Sequence, residues 1–136
     1  MIEAAREKLM QQEGCNLDMY LEDGYLHIGW GTLLHEPISQ DAADFLFYER
    51  LKVSVKACEL LFYPQWPTFS EPRQVAFVTL LYCMGRGRFE TFEKTIAAAK
   101  RGEWHKCADE VLSSRWARRY KTRAGDVARI IRFNEL

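Results

Sequence analysis

The chain has 136 residues, and its 19 basic and 19 acidic side chains give a formal net charge of zero. With 48% apolar residues, a chain of this length can bury a sizeable core in one compact domain, which excludes a disordered protein. No run of 18 apolar residues is present, so the sequence predicts no transmembrane helix.

The first predicted element is a helix over residues 2–12. Ile2, Ala5 and Leu9 recur near helical spacing, and Gly14 ends the pattern. The segment is charged and amphipathic and lacks the apolar stretch of a signal peptide, so we expect the chain to be made in the cytoplasm.

Residues 16–34 predict a small, irregular antiparallel sheet. Asp23-Gly24 is a hairpin turn signal between two segments that are rich in apolar residues. Gly29 and Gly31 indicate further tight turns nearby.

The remaining segments predict helices. We expect Ser39 to cap a helix that runs to about Leu61, and Ser70 to cap a helix over residues 71–84. The second of these is apolar almost all round, which predicts a buried central helix. Further helices fit three later segments, residues 90–100, 103–112 and 122–132. This order of elements predicts an α+β fold with the sheet segregated near the N-terminus.

Four cysteines are spread along the chain, at Cys15, Cys58, Cys83 and Cys107. They form no CxxC pair and no zinc-type cluster with histidine, and His35-Glu36 contributes too few ligands for a metal site. The last three lie in helical apolar patterns, so we expect buried thiols without disulfide bonds.

The two ends of the chain differ in charge. Residues 1–60 carry eleven acidic and five basic side chains, whereas residues 61–136 carry eight acidic and fourteen basic ones. The basic cluster is densest from Arg115 to Arg132. Such asymmetry indicates either a solvated helix face or a surface for an anionic partner, and composition alone favours the solvated face.

Three carboxylates frame the predicted hairpin. Glu13 ends the first helix, and Glu22 and Asp23 follow it nine and ten residues later, with His27 on the next strand. Glycoside cleavage needs one carboxylic acid that protonates the leaving oxygen and a second group that activates water or stabilises the cation. Spacing alone, however, favours ordinary surface carboxylates.

The residues around these carboxylates resemble the active-site signature of the phage lysozymes of glycoside hydrolase family 24. The matching string is Glu13-Gly14, Leu17, Tyr20, Glu22, Gly24-Tyr25 and Ile28-Gly29-Trp30-Gly31. Later segments resemble the family in its own order, at Ile38-Ser39-Gln40, Ala42-Ala43, Leu46, Phe77 to Gly85, Phe89, Phe92, Gly102, Trp104, Ala108, Leu112, Ser114-Arg115-Trp116 and Arg123-Ala124. The resemblance therefore covers nearly the whole chain.

The resemblance implies a two-lobed lysozyme-like fold in a single domain. A small lobe with the sheet would span roughly residues 13–60, and a larger helical lobe would hold residues 61–136 and the N-terminal helix 1–12. The implied activity is that of a muramidase, which hydrolyses the β-1,4 bond between N-acetylmuramic acid and N-acetylglucosamine in bacterial peptidoglycan. A phage endolysin of this kind waits in the host cytoplasm and reaches the periplasm and cell wall after its release.

The resemblance also assigns catalytic roles. Glu13 is the general acid, which must keep its proton near neutral pH. The second carboxylate is Glu22 or Asp23, and we favour Glu22, which stands where the family has Asp. His27 stands where the family has a Thr that holds the attacking water, and it either handles water or only orients Glu22. The family histidine after the last glycine is replaced by Thr32.

Strand alternation gives His27 an expected direction. If Leu26 and Ile28 face a core, His27 faces the opposite side, where the substrate cleft would lie.

Trp30, Cys83 and Arg119 are candidate substrate-binding residues. Trp30 lies in the glycine-rich hairpin, Cys83 stands where many relatives carry an amide that contacts the sugar, and Arg119 belongs to the basic cluster. Trp104 and Trp116 occur at helical spacing and are expected in the core.

No cofactor or metal is implied, since positioned carboxyl groups and water suffice. We expect a monomer whose partner is bacterial peptidoglycan, without nucleic acid and without membrane insertion. The departures at Glu22, His27 and Thr32 keep a second function open, that of a lysozyme-like module that binds peptidoglycan or a protein without cleavage. Nucleic-acid binding by the Arg-rich helices is the weakest alternative, because the net charge is zero and no nucleic-acid motif is present.

Overall fold

The computed structural model of the protein describes residues 1–34 and 37–136, including every side chain in these ranges except that of Glu13. His35 and Glu36 lie outside the described residues. The predicted α+β class is confirmed, because the described residues form eight α-helices and a three-stranded antiparallel sheet near the N-terminus. The chain divides into an N-terminal unit, Met1–Ala43, and a helical unit, Asp44–Leu136.

The N-terminal unit begins with one helix and continues into the sheet. Helix α1 spans Ile2–Glu13, and the strands are β1 (Asn16–Glu22), β2 (Tyr25–Gly29) and β3 (Thr32–Leu33), hydrogen-bonded in that order. None of the residues whose exposure is described in this unit is buried. Alternate apolar side chains of β1 are exposed, with Leu17 the most exposed at 84%.

A two-residue turn closes the hairpin between β1 and β2. Glu22 pairs with Tyr25, and the two residues between them both have positive φ, 52° at Asp23 and 84° at Gly24. Positive φ at both central positions is typical of a type I′ turn, whose twist matches that of the flanking strands. The turn predicted from Asp23-Gly24 is therefore confirmed.

The helical unit is built from seven helices within the described residues. Its first helix, α2, begins in the N-terminal unit, and a short 3₁₀ turn follows it at Trp66–Thr68. The helices are α2 (Gln40–Leu61), α3 (Glu71–Met84), α4 (Arg86–Phe89), α5 (Glu93–Lys100), α6 (Trp104–Ser113), α7 (Arg115–Arg119) and α8 (Lys121–Phe133). In the part of the chain that the structure covers, no helix combines the length and the apolarity needed to cross a membrane.

The two predicted helix caps have different outcomes. Ser39 accepts a hydrogen bond from the Ala42 amide at 3.2 Å, so it caps α2 as predicted. Ser70 occupies the N-cap position of α3 but accepts no capping bond, and its hydroxyl donates to the Asn134 side chain. The α3 prediction therefore gave the right boundaries and the wrong role for Ser70.

An aromatic cluster forms the centre of the core, and all of the core lies between Ala57 and Ile131. Phe62 is fully buried, and its ring lies 4.6 Å from that of Phe77 and 5.3 Å from that of Phe69. The two tryptophans expected in the core are confirmed there, since Trp116 is buried and Trp104 packs against the cluster.

Helix α3 crosses this core with one face. Ala76, Phe77, Leu80 and Leu81 are buried, whereas Val75 is 39% exposed. The predicted central helix is therefore found in the core, but it is fully buried along one face only. Helix α3 has more apolar side chains than the surrounding elements bury, and the remaining ones are partly exposed, as is common on protein surfaces.

Candidate functional site

The hairpin places Glu22 and His27 on the same face of the sheet. His27 pairs with Tyr20 across the two strands, and Glu22 pairs with Tyr25. Because side chains alternate along a strand, these four residues project from one face. Glu22 and His27 are diagonal neighbours on this face, and the usual separation of such positions, about 7–8 Å, is within reach of long and aromatic side chains. Among the described side chains, no direct hydrogen bond joins the two.

Two contacts fix the His27 ring. The ring stacks on Tyr20 with centroids 5.5 Å apart, and Nδ1 lies 3.3 Å from the Gly31 carbonyl oxygen. A carbonyl only accepts, so this bond requires the proton on Nδ1. In the neutral ring, Nε2 is then left with a lone pair that can accept a proton from water.

The expected direction of His27 depends on whether its two strand neighbours, Leu26 and Ile28, are buried. Ile28 is half-buried, but Leu26 is 46% exposed, so the expectation that Leu26 faces a core is wrong. His27 itself is half-buried and shares its face with Leu33 of β3 rather than with Leu26. Tyr20 and the Gly31 carbonyl are in contact with its ring.

Asp23 occupies a different position from Glu22. It lies in the turn with φ of 52°, outside the ladder of paired residues, and it is exposed. Glu22, as the last residue of β1, keeps the alternation of the strand. Of the two carboxylates, Glu22 is the one that shares a face with His27.

Glu13 is the final residue of α1, and its side chain lies outside the described part of the structure. Gly14 follows with φ of 64° and ψ of 166°, a conformation that residues with a Cβ rarely adopt. This glycine ends the helix sharply, and β1 begins two residues later at Asn16. The chain therefore passes from the candidate acid to the strand that carries Glu22 with little intervening backbone.

Trp30 lies in the turn between β2 and β3. It lies between Gly29 and Gly31, both with positive φ, and 45% of its surface is exposed. The carbonyl of Gly31 is also the partner of His27, so the turn that presents the indole also holds the imidazole. The indole face is accessible to a ligand.

Cys83 lies in the helical unit, near the end of α3. It is half-buried, and its Sγ lies 3.5 Å from a guanidinium nitrogen of Arg123, which donates to it. The Cys83 thiol therefore contacts a guanidinium group of the same unit.

Arg119 also lies in the helical unit, on α7, where it lines a cavity of about 700 Å³. Its guanidinium carbon lies 5.5 Å from the centroid of the Tyr120 ring. Three further cations line this cavity, namely Arg88, Lys94 and Arg115.

Sequence reasoning did not find this cavity as a site. Its walls come from α4 to α7 and the intervening loops, so no local motif contains them together. The basic run that begins at Arg115 was the available signal, but Arg88 and Lys94 are more than 20 residues away in sequence. Only the fold brings these four cations to one place.

The described residues contain no group of three or more His, Cys, Asp or Glu side chains that could hold a metal ion.

Comparison of the sequence with known families gave no match to any family model and no match to any curated protein.

Proposed function

We propose that this protein is a muramidase that cleaves the glycan strands of bacterial peptidoglycan. The observation that carries the proposal is the hairpin, which follows the helix ending in Glu13 and presents Glu22 and His27 on one face. A carboxylic acid beside a carboxylate and a water-binding group is the set of side chains that glycoside hydrolysis needs. The ordered sequence resemblance to phage lysozymes supports the same activity.

In the proposed mechanism, Glu13 protonates the glycosidic oxygen as the sugar bond breaks. Glu13 is the last residue of α1, immediately before the glycine that ends the helix. The role requires its carboxyl group to carry a proton until the bond breaks.

Glu22 and His27 act on the other side of the reaction. The Glu22 carboxylate stabilises the positive charge that develops on the sugar ring. His27, with its proton on Nδ1, accepts a proton from the attacking water at Nε2. Both steps use side chains and water alone, and Trp30 offers its exposed indole as a platform for a sugar ring.

The test is the clearing of chloroform-permeabilised Gram-negative cells by purified protein. We expect Glu13→Gln to abolish clearing, because glutamine keeps the shape of the side chain but has no proton to give. Glu7→Gln, on the same helix, is the matched control and should clear like the unmodified protein. Circular dichroism checks that both variants fold, and full activity of Glu13→Gln would overturn the acid assignment.

His27→Thr, in the same assay, tests the water-handling role. We expect slower clearing and a changed dependence on pH at the acid side, since a base acts only when unprotonated. His105→Thr, an exposed histidine on α6, is the control. A His27→Thr variant that clears at full rate with an unchanged acid limb would restrict His27 to orienting Glu22.

A second function is favoured by the contacts of His27. The Tyr20 stack and the Gly31 bond give this ring a purely structural role if the site only binds glycan. Under that function, the unmodified protein sediments with purified sacculi but releases no reducing sugar. Release of reducing ends that depends on Glu13 excludes this alternative.

A further inference from the structure

The cavity of the helical unit has an unusual charge pattern. Four cations line it, Arg88, Lys94, Arg115 and Arg119, against two acidic side chains, Glu93 and Glu110, so its formal charge is two positive. Its volume of about 700 Å³ falls within the usual range for small-ligand pockets.

Among the described residues, none of the four cavity cations is in an ion pair. Of the thirteen other Lys and Arg side chains of the same unit, seven pair with carboxylates, namely Lys52, Lys56, Arg86, Arg101, Lys106, Arg129 and Arg132. All four side chains of the cavity cations are exposed to solvent, and the repulsion between them falls when an anion binds among them. The positive charge of the cavity is therefore available to a ligand.

Arg115 and Arg119 lie one turn apart on α7, so their side chains extend from the same face of the helix. Each guanidinium can grip a carboxylate or a phosphate through two parallel hydrogen bonds. Arg118 lies on the same helix but does not line the cavity.

Three hydroxyl groups of the cavity are already used as donors. Thr91, Ser113 and Ser114 each donate to a backbone carbonyl, those of Arg88, Glu110 and Val111 respectively. Their lone pairs can accept from a ligand, but their protons are not free for an anion. The four cations are therefore the principal donors that the cavity offers to an anionic group.

Aromatic side chains form the apolar part of the wall. Phe92, Trp116 and Tyr120 line the cavity, and the rings of Trp116 and Tyr120 lie 5.7 Å apart. They offer contact to a planar or apolar body as well as to charge.

A second cavity, of about 560 Å³, differs in that its cations have partners within the protein. Arg132 pairs with Asp109, Lys106 pairs with Glu103, and Arg73 lies over the Trp104 ring. Three of its cations therefore already have a partner within the protein.

We propose that the first cavity binds a small organic dianion, a phosphate monoester or a dicarboxylate, with an apolar or planar body. Arg115 and Arg119 hold the anionic group, Arg88 and Lys94 add to the attraction, and the aromatic wall takes the body. This site is independent of the muramidase proposal, since it uses only residues of the helical unit.

Isothermal titration calorimetry with three probes tests this site. Phenyl phosphate and phthalate represent the two sources of dianion, and benzyl alcohol is the neutral probe. We expect one or both dianions to bind, with the tighter one identifying the source, and benzyl alcohol to bind at least ten-fold more weakly (~1.4 kcal/mol). Equal binding of the neutral probe, or no binding of either dianion at about 10 mM, overturns the proposal.

Three single variants locate the binding. Arg115→Gln and Arg119→Gln should each weaken dianion binding by about ten-fold or more, because each removes a charged hydrogen-bond donor. Arg118→Gln should leave it within about two-fold, although it removes the same charge from the same helix. An equal loss with Arg118→Gln would indicate general attraction to a basic surface and overturn the site. Thermal melting confirms that each variant is folded.

Discussion

At the scale of single residues, two buried thiols give the protein a dependence on alkaline pH. Cys58 and Cys107 are fully buried, and burial raises the pKa of each thiol to about 12. The Cys107 thiol also donates to the Thr95 carbonyl at 3.5 Å, which requires its proton. An unfolded cysteine ionises at about 8.5, so unfolding above that pH releases protons that the folded state retains.

The free energy of unfolding should therefore fall as pH rises from about 8.5 towards about 12, with its full value present below that window. Urea denaturation at successive pH values measures this slope. In the Cys58→Ala and Cys107→Ala variants the slope should be smaller, by up to about 1.4 kcal/mol per pH unit, although both are less stable at neutral pH. Cys15→Ala removes an exposed thiol and serves as the control. Unchanged slopes in all three variants would contradict the assignment to burial.

Sequence reasoning reached the hairpin face of the candidate site but not its details. The Asp23-Gly24 turn fixes the register, and the register puts Glu22 and His27 on one face. The contact of His27 with the Gly31 carbonyl depends on how the next turn folds back, which no periodicity encodes. Whether Cys83 and Arg119 bind substrate stays a prediction.

At the scale of elements, a single hydroxyl sets the start of α7. Ser114 accepts a hydrogen bond from the Ala117 amide at 3.1 Å and donates to the Val111 carbonyl at 2.7 Å, joining the end of α6 to α7. We expect Ser114→Ala to lower the free energy of unfolding by about 1 kcal/mol, the usual effect of losing a helix cap.

The neighbouring residue provides the control for this cap. Ser113 also donates to a carbonyl, that of Glu110, but it caps no helix. Chemical denaturation should find Ser113→Ala within about 0.5 kcal/mol of the unmodified protein. A loss of stability as large as that of Ser114→Ala would show that the cap is not the cause.

Long elements could be predicted from the sequence, and short ones could not. Helix α3 has the predicted boundaries because a Pro and a Gly bracket its apolar run. Helices α4 and α7 were missed, because four and five residues give little more than one turn and show no periodicity. The strand pattern of β1 was found, but its side chains are exposed, since alternation indicates a strand without showing what covers it.

At the scale of the whole molecule, stability is concentrated in the helical unit. Every residue of the buried cluster lies at or after Ala57, and no residue of known exposure in the N-terminal unit is buried. Backbone amides in regions with few buried contacts exchange at lower free energy. Hydrogen exchange should therefore be slowest in α3 and α8 and distinctly faster in β1 to β3. Equal protection of the sheet and of α3 would be inconsistent with this distribution.

The bond between Arg73 and the Ile131 carbonyl links α3 to α8 across 58 residues of sequence. On the ribosome, α8 is synthesised after every other helix of its unit, so until it emerges the apolar face of α3 has no α8 to pack against. The N-terminal unit, which carries the candidate catalytic groups, leaves the ribosome before α8 is available to complete the core. We expect the nascent chain to need protection from aggregation during this interval, and the uncovered face of α3 is one of the apolar segments that a chaperone would hold.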